Sequence, residues 1–317
     1  MRYLEVTERD GKYLVRLAER ETPRPAAGEV LVRVAASGLN RADLSQIAGR
    51  YPPPPGEPDI LGLELSGHTV DTGAPVCALV AGGGHAEYAA VPEGQLFPAP
   101  PSLELVTAGG IPEAYLTAFV NLVATAGLER GQRVLVHAGA SGVGLAAIAL
   151  ARFLGAEVAA TTRSPEKVPA LERVGASPAL VSSRDDVPAE IEKVWGRDAV
   201  HVVLDPVGGS LLEQNLQVLA TGGRIVVIAT MGGARPEIDL SVLMRKRATV
   251  LGSTLRARSR AEKARLVARF RTEVLPGFDD GRLGVVVDAV CAPAQAGAAF
   301  QRMRDNRSTG KLLIGWS

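Results

Sequence analysis

The chain of 317 residues is 46% hydrophobic and carries 35 Lys plus Arg against 34 Asp plus Glu, a formal charge of +1. So balanced a charge provides no field to gather nucleic acid or an anionic membrane surface, so the expected partners are small molecules. The length exceeds one ordinary core and points to two domains.

Residues 1 to about 100 alternate in short runs punctuated by Pro and Gly. Residues 1–8 read as a strand with no apolar signal region, 28–34 as a second after a turn, and 86–91 as a third, so this stretch is expected to be mostly β. Pro52 to Pro55 form a stiff extended loop beside Tyr51, serving either as a spacer or to hold a substrate mouth. From about 116 the pattern becomes apolar strands at 133–138, 157–162, 179–182, 200–205, 224–229 and 248–253 with helical stretches between. That alternation predicts an α/β, doubly wound parallel (Rossmann) sheet with helices on both faces. Beyond about 256, a helix at 260–270, a strand at 285–290, a helix near 293–304 and a strand at 311–316 are too few for a domain. They are expected to return to the N-terminal β region. No run approaches the roughly 18 apolar residues of a membrane helix, and a cytoplasmic protein is expected.

The segment from Arg133 to Ala147 reads as strand, glycine turn and first helical turn. Within it Gly142-x-Gly144-x-x-Ala147 fits a dinucleotide fingerprint, with phosphates placed at the helix N-terminus. Gly139, Ala140, Ser141, Gly142, Val143 and Gly144 are the expected cradle, although turn chemistry alone also explains Ser141. An NAD-type site would put Asp or Glu at the end of the next strand. The chain has Thr162, Arg163, Ser164 and then Lys167 instead, which suits the extra charge of a 2′-phosphate and favours NADPH over NADH. The alternative is that Arg163 and Lys167 are solvated charges and Ser164 caps a helix. Asp205, Val207 and Gly208 end the fourth strand, where doubly wound folds bind ligands, so their backbone is expected along the adenine-ribose side. His137 is expected to be a packed core residue. His68, His85 and His201 share no metal spacing with it, and Cys77 and Cys291 are too few for a cluster, so no metal site is expected.

Several segments together resemble a known family: Ala36-Ser37-Gly38-Leu39-Asn40-Arg41-Ala42-Asp43-Leu44, the Tyr51 to Gly56 loop, Ile60 to Gly67, Ile111-Pro112-Glu113-Ala114-Tyr115-Leu116-Thr117-Ala118-Phe119, and His137 to Gly144. They are similar to the zinc-free quinone oxidoreductases of the medium-chain dehydrogenase/reductase superfamily. The likeness continues through Leu204 to Gly209, Thr230 to Gly233, Leu255 to Arg258 and Gly310-Lys311. It implies a GroES-like β domain over 1–116, completed by 256–317, a Rossmann NADPH-binding domain over 117–255, and an active site between them. It also implies a homodimer through the edge strand 248–253.

The cysteine that zinc dehydrogenases carry near Gly38-Leu39-Asn40, and their four-cysteine lobe, are absent from the sequence. Alcohol dehydrogenation through a metal is therefore not expected, whereas a quinone's conjugated carbonyls accept hydride without one. By the resemblance, Asn40 and Thr117 face the nicotinamide, with capping of the helix at 41 as Asn40's other reading. Tyr51 stacks on the quinone or donates to its oxygen, or else is an interior aromatic, and Ser141 reaches substrate or phosphate. Ile228, Ala229, Met231, Ser253, Thr254 and Leu255 hold the nicotinamide through main chain, and Asn306 and Lys311 resemble C-terminal cofactor contacts. Relatives carry a Tyr near the end of the third strand; here Val181-Ser182-Ser183 stands there, and Ser183 is its partial substitute. Asp43 and Glu64 read as structural partners for Arg41 or for backbone donors, not as catalytic acids. The expected activity is NADPH-dependent quinone reduction. The alternatives are reduction of 2-alkenals or enones, and nucleotide binding with little turnover.

Overall fold

The Leu4 and Val6 side of the first strand alternates with Glu5 and Thr7, and its partner repeats the pattern with Val15 and Leu17. The two pair antiparallel, Leu4 opposite Leu17 and Val6 opposite Val15, as β1 (Arg2–Arg9) and β2 (Lys12–Glu19). The computed structural model describes residues 1–9 and 12–316. Backbone contacts divide the chain into two units, one of residues 1–116 and 255–317, the other of 117–254.

In the first unit, β3 (Glu29–Gly38), α1 (Arg41–Ile47), β4 (Glu64–Thr69), β5 (Pro75–Leu79), β6 (Tyr88–Pro92) and β7 (Leu96–Pro98) precede α2 (Leu105–Ala108) and α3 (Pro112–Phe119), whose residues from Thr117 onward count with the second unit. The second unit holds β8 (Arg133–Val136), α4 (Gly142–Phe153), β9 (Glu157–Thr162), α5 (Val168–Arg173), β10 (Ala179–Val181), α6 (Val187–Trp195) and β11 (Val200–Asp205). It closes with α7 (Leu212–Val218), β12 (Leu219–Val227), α8 (Leu240–Arg245) and β13 (Thr249–Gly252). The chain returns to the first unit with α9 (Arg260–Glu273), α10 (Pro276–Asp279), β14 (Val287–Cys291), α11 (Ala296–Arg304) and β15 (Lys311–Gly315).

The first unit's main sheet runs β14-β15-β3-β4-β5-β7, with β6 on the N-terminal half of β3. Thus the tail elements do add strands to the N-terminal sheet. β3 is longer than the strand expected at 28–34, because its small residues Ala36, Ser37 and Gly38 are buried, Ala36 and Ser37 pairing with both β4 and β15 and Gly38 with β15. Register decides what meets at its end: Ser37 is opposite Leu65, Gly38 is opposite Leu313, and Leu39 N–H donates to Leu312 O at 2.9 Å. Gly38, Glu64 and Lys311, remote in sequence, therefore share one corner. A core of Val32, Leu65, Val91, Ile314, Phe300 and Trp316 lies under this sheet, each large apolar side chain adding about 1.5–3 kcal/mol by its burial.

The second unit's sheet is parallel throughout, in the order β10-β9-β8-β11-β12-β13. Strand order reverses beside β8, the place where doubly wound sheets take ligands. Leu135, Val203, Ile225, Ile191 and Leu216 fill one side of it. The strand expected at 224–229 begins at Leu219 instead. Residues 220–223, whose Gly222-Gly223 reads as a turn, bulge out between the pairings Val200–Leu219 and Val202–Arg224. Among the described residues no helix is long and apolar enough to cross a membrane.

Candidate functional site

In the second unit the chain leaves β8 through His137 and Ala138, the latter left-handed at φ 50°, and enters α4 at Gly142. Ser141 is the N-cap: its Oγ accepts from Gly144 N–H at 3.0 Å. This bears out the turn chemistry and leaves the hydroxyl's own proton to donate. The N–H groups of Gly142 and Val143 lie in the first helical turn, where no intrahelical acceptor exists, so they point outward as an anion site. Gly144 is required, since a Cβ there would stand 2.5 Å from Ala138 O and 2.7 Å from Gly139 Cα. Ala147 is fully buried under the helix.

A buried polar chain fixes this turn from behind. His137 contacts Thr161 Oγ1 through Nδ1 at 2.9 Å and Asn215 Oδ1 through Nε2 at 2.7 Å. Asn215 Nδ2 donates to Asp205 Oδ2 at 2.9 Å, and Asp205 Oδ1 accepts from Val207 and Gly208 N–H at 2.7 and 2.8 Å. Burial pushes the His137 imidazole below its usual range against the opposing pull of Asp205, so the ring stays neutral, a core residue as expected. The Asp205 carboxylate is spent holding its own turn, so only the backbone of 205–208 remains to face a ligand. Val207 O accepts from Gly232 N–H at 2.7 Å, tying the loop after β11 to that after β12, near the exposed Met231. Ile228 is half-buried and Ala229 exposed beyond β12. Beyond β13, Ser253 keeps a buried Oγ with no partner among the described residues, and Thr254 is exposed.

At the end of β9, Thr162 is buried and its Oγ1 accepts from Ser164 N–H at 3.3 Å, while Arg163 is exposed and Lys167 half-buried. Ser183 Oγ donates to Arg163 O at 3.0 Å. That hydroxyl proton braces the loop after β9. Thr117 O, in α3, accepts from Asn121 Nδ2 at 2.7 Å.

The first unit gathers charge. Lys311 Nζ donates to Leu39 O at 3.0 Å, to Asn40 Oδ1 at 2.9 Å and to Glu64 Oε1, using all three of its protons. Asn40 Nδ2 donates to Glu64 Oε1 at 2.9 Å and Gly38 O at 3.1 Å, and Glu64 Oε2 accepts from Glu113 N–H at 2.9 Å. Asn40 stands at the N-cap of α1, yet the contact across the cap is made by Asp43, whose Oδ2 accepts from Asn40 N–H at 2.7 Å. Asp43 Oδ1 accepts from Gly62 N–H at 3.1 Å. Asp43 and Glu64 thus bind backbone donors, as structural acids do, and Arg41 donates to Met303 O and Asn306 Oδ1 instead. The side chains of Asn40, Asn306 and Lys311 join β3, β4, α1, α11 and β15.

Beyond Asp43, His85 Nε2 lies 3.5 Å from its Oδ2, and His85 Nδ1 meets Ser37 Oγ at 2.8 Å, which accepts from Trp316 Nε1 at 3.0 Å. Tyr51 is half-buried, with the Arg256 guanidinium 5.2 Å over its ring. Arg256 donates to Ala81 O, Tyr51 O and Gln46 Oε1 at 2.7–3.0 Å, and so fixes the proline loop from beneath. Burial, then Glu113, pushes the Tyr51 phenol up, so it remains a hydrogen-bond donor at neutral pH. Leu255, just before Arg256, is buried in this unit. Glu113 and Lys263 are the ionisable residues that sequence reasoning missed. Their only signals were an acid inside the apolar run from Ile111 to Phe119 and a lysine on the core side of α9.

Residues 26–101 match the alcohol dehydrogenase GroES-like domain and residues 142–272 the zinc-binding dehydrogenase domain. A quinone oxidoreductase-like protein 2 homolog of Nematostella vectensis is 30% identical over 96% of the chain and 86% of that relative. The Bos taurus quinone oxidoreductase-like protein 2 is 31% identical over 93% of the chain and 88% of its own length. The quinone oxidoreductase of Thermus thermophilus, solved also in complex with NADPH, is 35% identical. It superposes with a TM-score of 0.85 over 99% of this chain and 100% of that one. The chain belongs to the zinc-free quinone oxidoreductase family of medium-chain dehydrogenases/reductases. It is an oxidoreductase of that family. Although the second matched domain is named for zinc, no group of three or more His, Cys, Asp or Glu gathers as metal ligands among the described residues of this medium-chain reductase.

Proposed function

We propose that this oxidoreductase binds NADPH and reduces quinones by hydride transfer without a metal. The observation that carries the reading is the turn at 139–144. Ser141, an outward-facing first turn of α4 and a glycine that admits no Cβ form a cradle suited to a pyrophosphate. The end of β9 deepens it: Thr162, Arg163, Ser164 and Lys167 supply hydroxyls and positive charge where an NAD site would need an acid. The Thermus thermophilus relative, a quinone oxidoreductase solved with NADPH, supports the same assignment. When bound, the dinucleotide supplies a hydride, and the chain's work is to position the acceptor against it. Tyr51, held by Arg256, offers an aromatic face and a phenol proton to the acceptor oxygen.

The test follows NADPH absorbance with a panel of quinones and 2-alkenals. Turnover of quinones alone is expected. Turnover of alkenals alone would replace the quinone with a conjugated enal, and tight binding without turnover would leave only the nucleotide site. Exchanging Lys167→Ala is expected to raise KM for NADPH far more than for NADH; equal effects would remove the 2′-phosphate assignment.

The edge of the parallel sheet adds a homodimer to this reading. β13 pairs with β12 on one side only, and Val250, with Leu240 and Met244 of α8, is exposed. A second copy of the strand would satisfy the open backbone groups. Sedimentation is expected to give twice the chain mass.

A further inference from the structure

The polar chain buried in the second unit has a single direction, and Asn215 sets it. The Asp205 carboxylate only accepts, so the Asn215 arm 2.9 Å from Asp205 Oδ2 is the amide nitrogen and the arm toward His137 is the amide oxygen. An oxygen there requires the proton of the neutral ring on Nε2. His137 Nδ1 is then a lone pair, to which Thr161 Oγ1 donates at 2.9 Å. Every proton in the chain thus points from Thr161 toward Asp205, and a reversed amide would turn its oxygen on the carboxylate.

Four strand ends hang on that chain. Thr161, in β9, also holds the turn after β8, since Gly139 N–H donates to its carbonyl at 2.7 Å. His137 opens that turn one residue before the left-handed Ala138. At the other end Asp205 Oδ1 accepts from Val207 and Gly208 N–H. Val207 O in turn accepts from Gly232 N–H at 2.7 Å, and Gly209 N–H donates to Gly233 O at 2.9 Å, so the loop after β11 carries the loop after β12. The fit leaves no slack, because a Cβ on Gly232 would collide with Ser210 Oγ and Val207 Cγ1. Asn215 itself, on α7, is fully buried and beyond the reach of a ligand.

We propose that Asn215 is a positioning residue of the dinucleotide site, a role that rests on the reading under Proposed function. It acts through His137 on the turn at 139–144 and through Asp205 on the backbone of 205–208, and so holds the two halves of one cradle in a fixed relation. Donors already fixed in place lose little freedom when the dinucleotide arrives, so the affinity of the cradle depends on a side chain outside it. Asparagine suits the position because one planar, uncharged group offers an acceptor to His137 and a donor to Asp205. Leucine offers neither, and a protonated aspartic acid offers both.

The test is calorimetric titration of NADPH and NADH into Asn215→Leu and Asn215→Asp, with thermal melting beside it. Asn215→Leu is expected to weaken both dinucleotides about tenfold, on the order of one lost hydrogen bond to a charged group. Asn215→Asp separates positioning from packing. Its acid form accepts from His137 and donates to Asp205 as asparagine does, whereas its ionised form turns a second carboxylate on Asp205 and frees the loops. His137 and Asp205 are the titratable side chains in hydrogen-bond contact with position 215 among the described residues. Asn215→Asp is therefore expected to bind like wild type at pH 5 and about tenfold more weakly than wild type at pH 9. Folded variants that melt lower yet bind both dinucleotides with wild-type affinity at every pH would overturn the positioning role and leave the dinucleotide site standing. A wild-type chain that binds neither dinucleotide would overturn the reading under Proposed function and the positioning role with it.

Discussion

In the parallel-sheet unit the buried polar chain from Thr161 through His137 and Asn215 to Asp205 carries one acid, and every link ends on a neutral donor or acceptor. In the first unit the corner of Glu64, Lys311, Asn40, Asp43 and His85 buries several ionisable groups, with an acid at 113 beside them. The first arrangement braces a turn whose backbone does the binding. The second gathers buried charge, so its members are more costly to remove and more sensitive to pH.

The largest effect that would break this contrast lies in the charged corner. Lys311→Met leaves the Glu64 carboxylate buried without its ammonium and is expected to cost about 3–5 kcal/mol in urea unfolding. Adding Glu64→Gln should recover much of that loss, because the uncompensated charge is gone. Next comes pH. A carboxyl whose folded pKa is raised from the usual range to about 8 binds its proton more tightly in the folded than in the unfolded chain. Its contribution is full in acid and is lost as pH rises through 8, so Glu113→Gln should match wild type in thermal melting at pH 5 relative to its own baseline and gain stability over it at pH 9.

In the other unit, Asn215→Leu strips both His137 and Asp205 of a partner and is expected to cost about 2 kcal/mol. Its pH dependence should be small at neutral pH and above, because burial holds the His137 imidazole below its usual range. The smallest effect is Ser141→Ala, which removes one cap at a cost of about 1 kcal/mol.

The same contrast explains what could be read from the sequence. The dinucleotide turn is local: strand, glycines and helix lie between 133 and 147, and six apolar strands at regular spacing declare the parallel sheet. Ser141 shows the limit of local reading, since capping and ligand contact ask for the same side chain. The charged corner joins 40, 64, 113 and 311, which only the register of β3 against β4 and β15 brings together. Asn40 and Lys311 were therefore recognisable as important through resemblance, but not as each other's partners. Glu113 was hidden because an acid after Pro112 at a helix start is ordinary dipole chemistry. Its sealed oxygen and the nearby Glu64 are tertiary facts. The bulge at 220–223 was missed for the opposite reason: Gly222-Gly223 is a sound local turn signal, and strand pairing on either side of it carries the strand through.

The most direct measurement is calorimetric titration of the wild-type chain and of Lys167→Ala with NADPH and NADH. A cradle at 139–144 with a 2′-phosphate grip at the end of β9 predicts one site per chain, tighter binding of NADPH than NADH in the wild type, and loss of that preference in Lys167→Ala. Failure of the wild type to bind either dinucleotide, or a preference for NADH that the substitution leaves untouched, would contradict it.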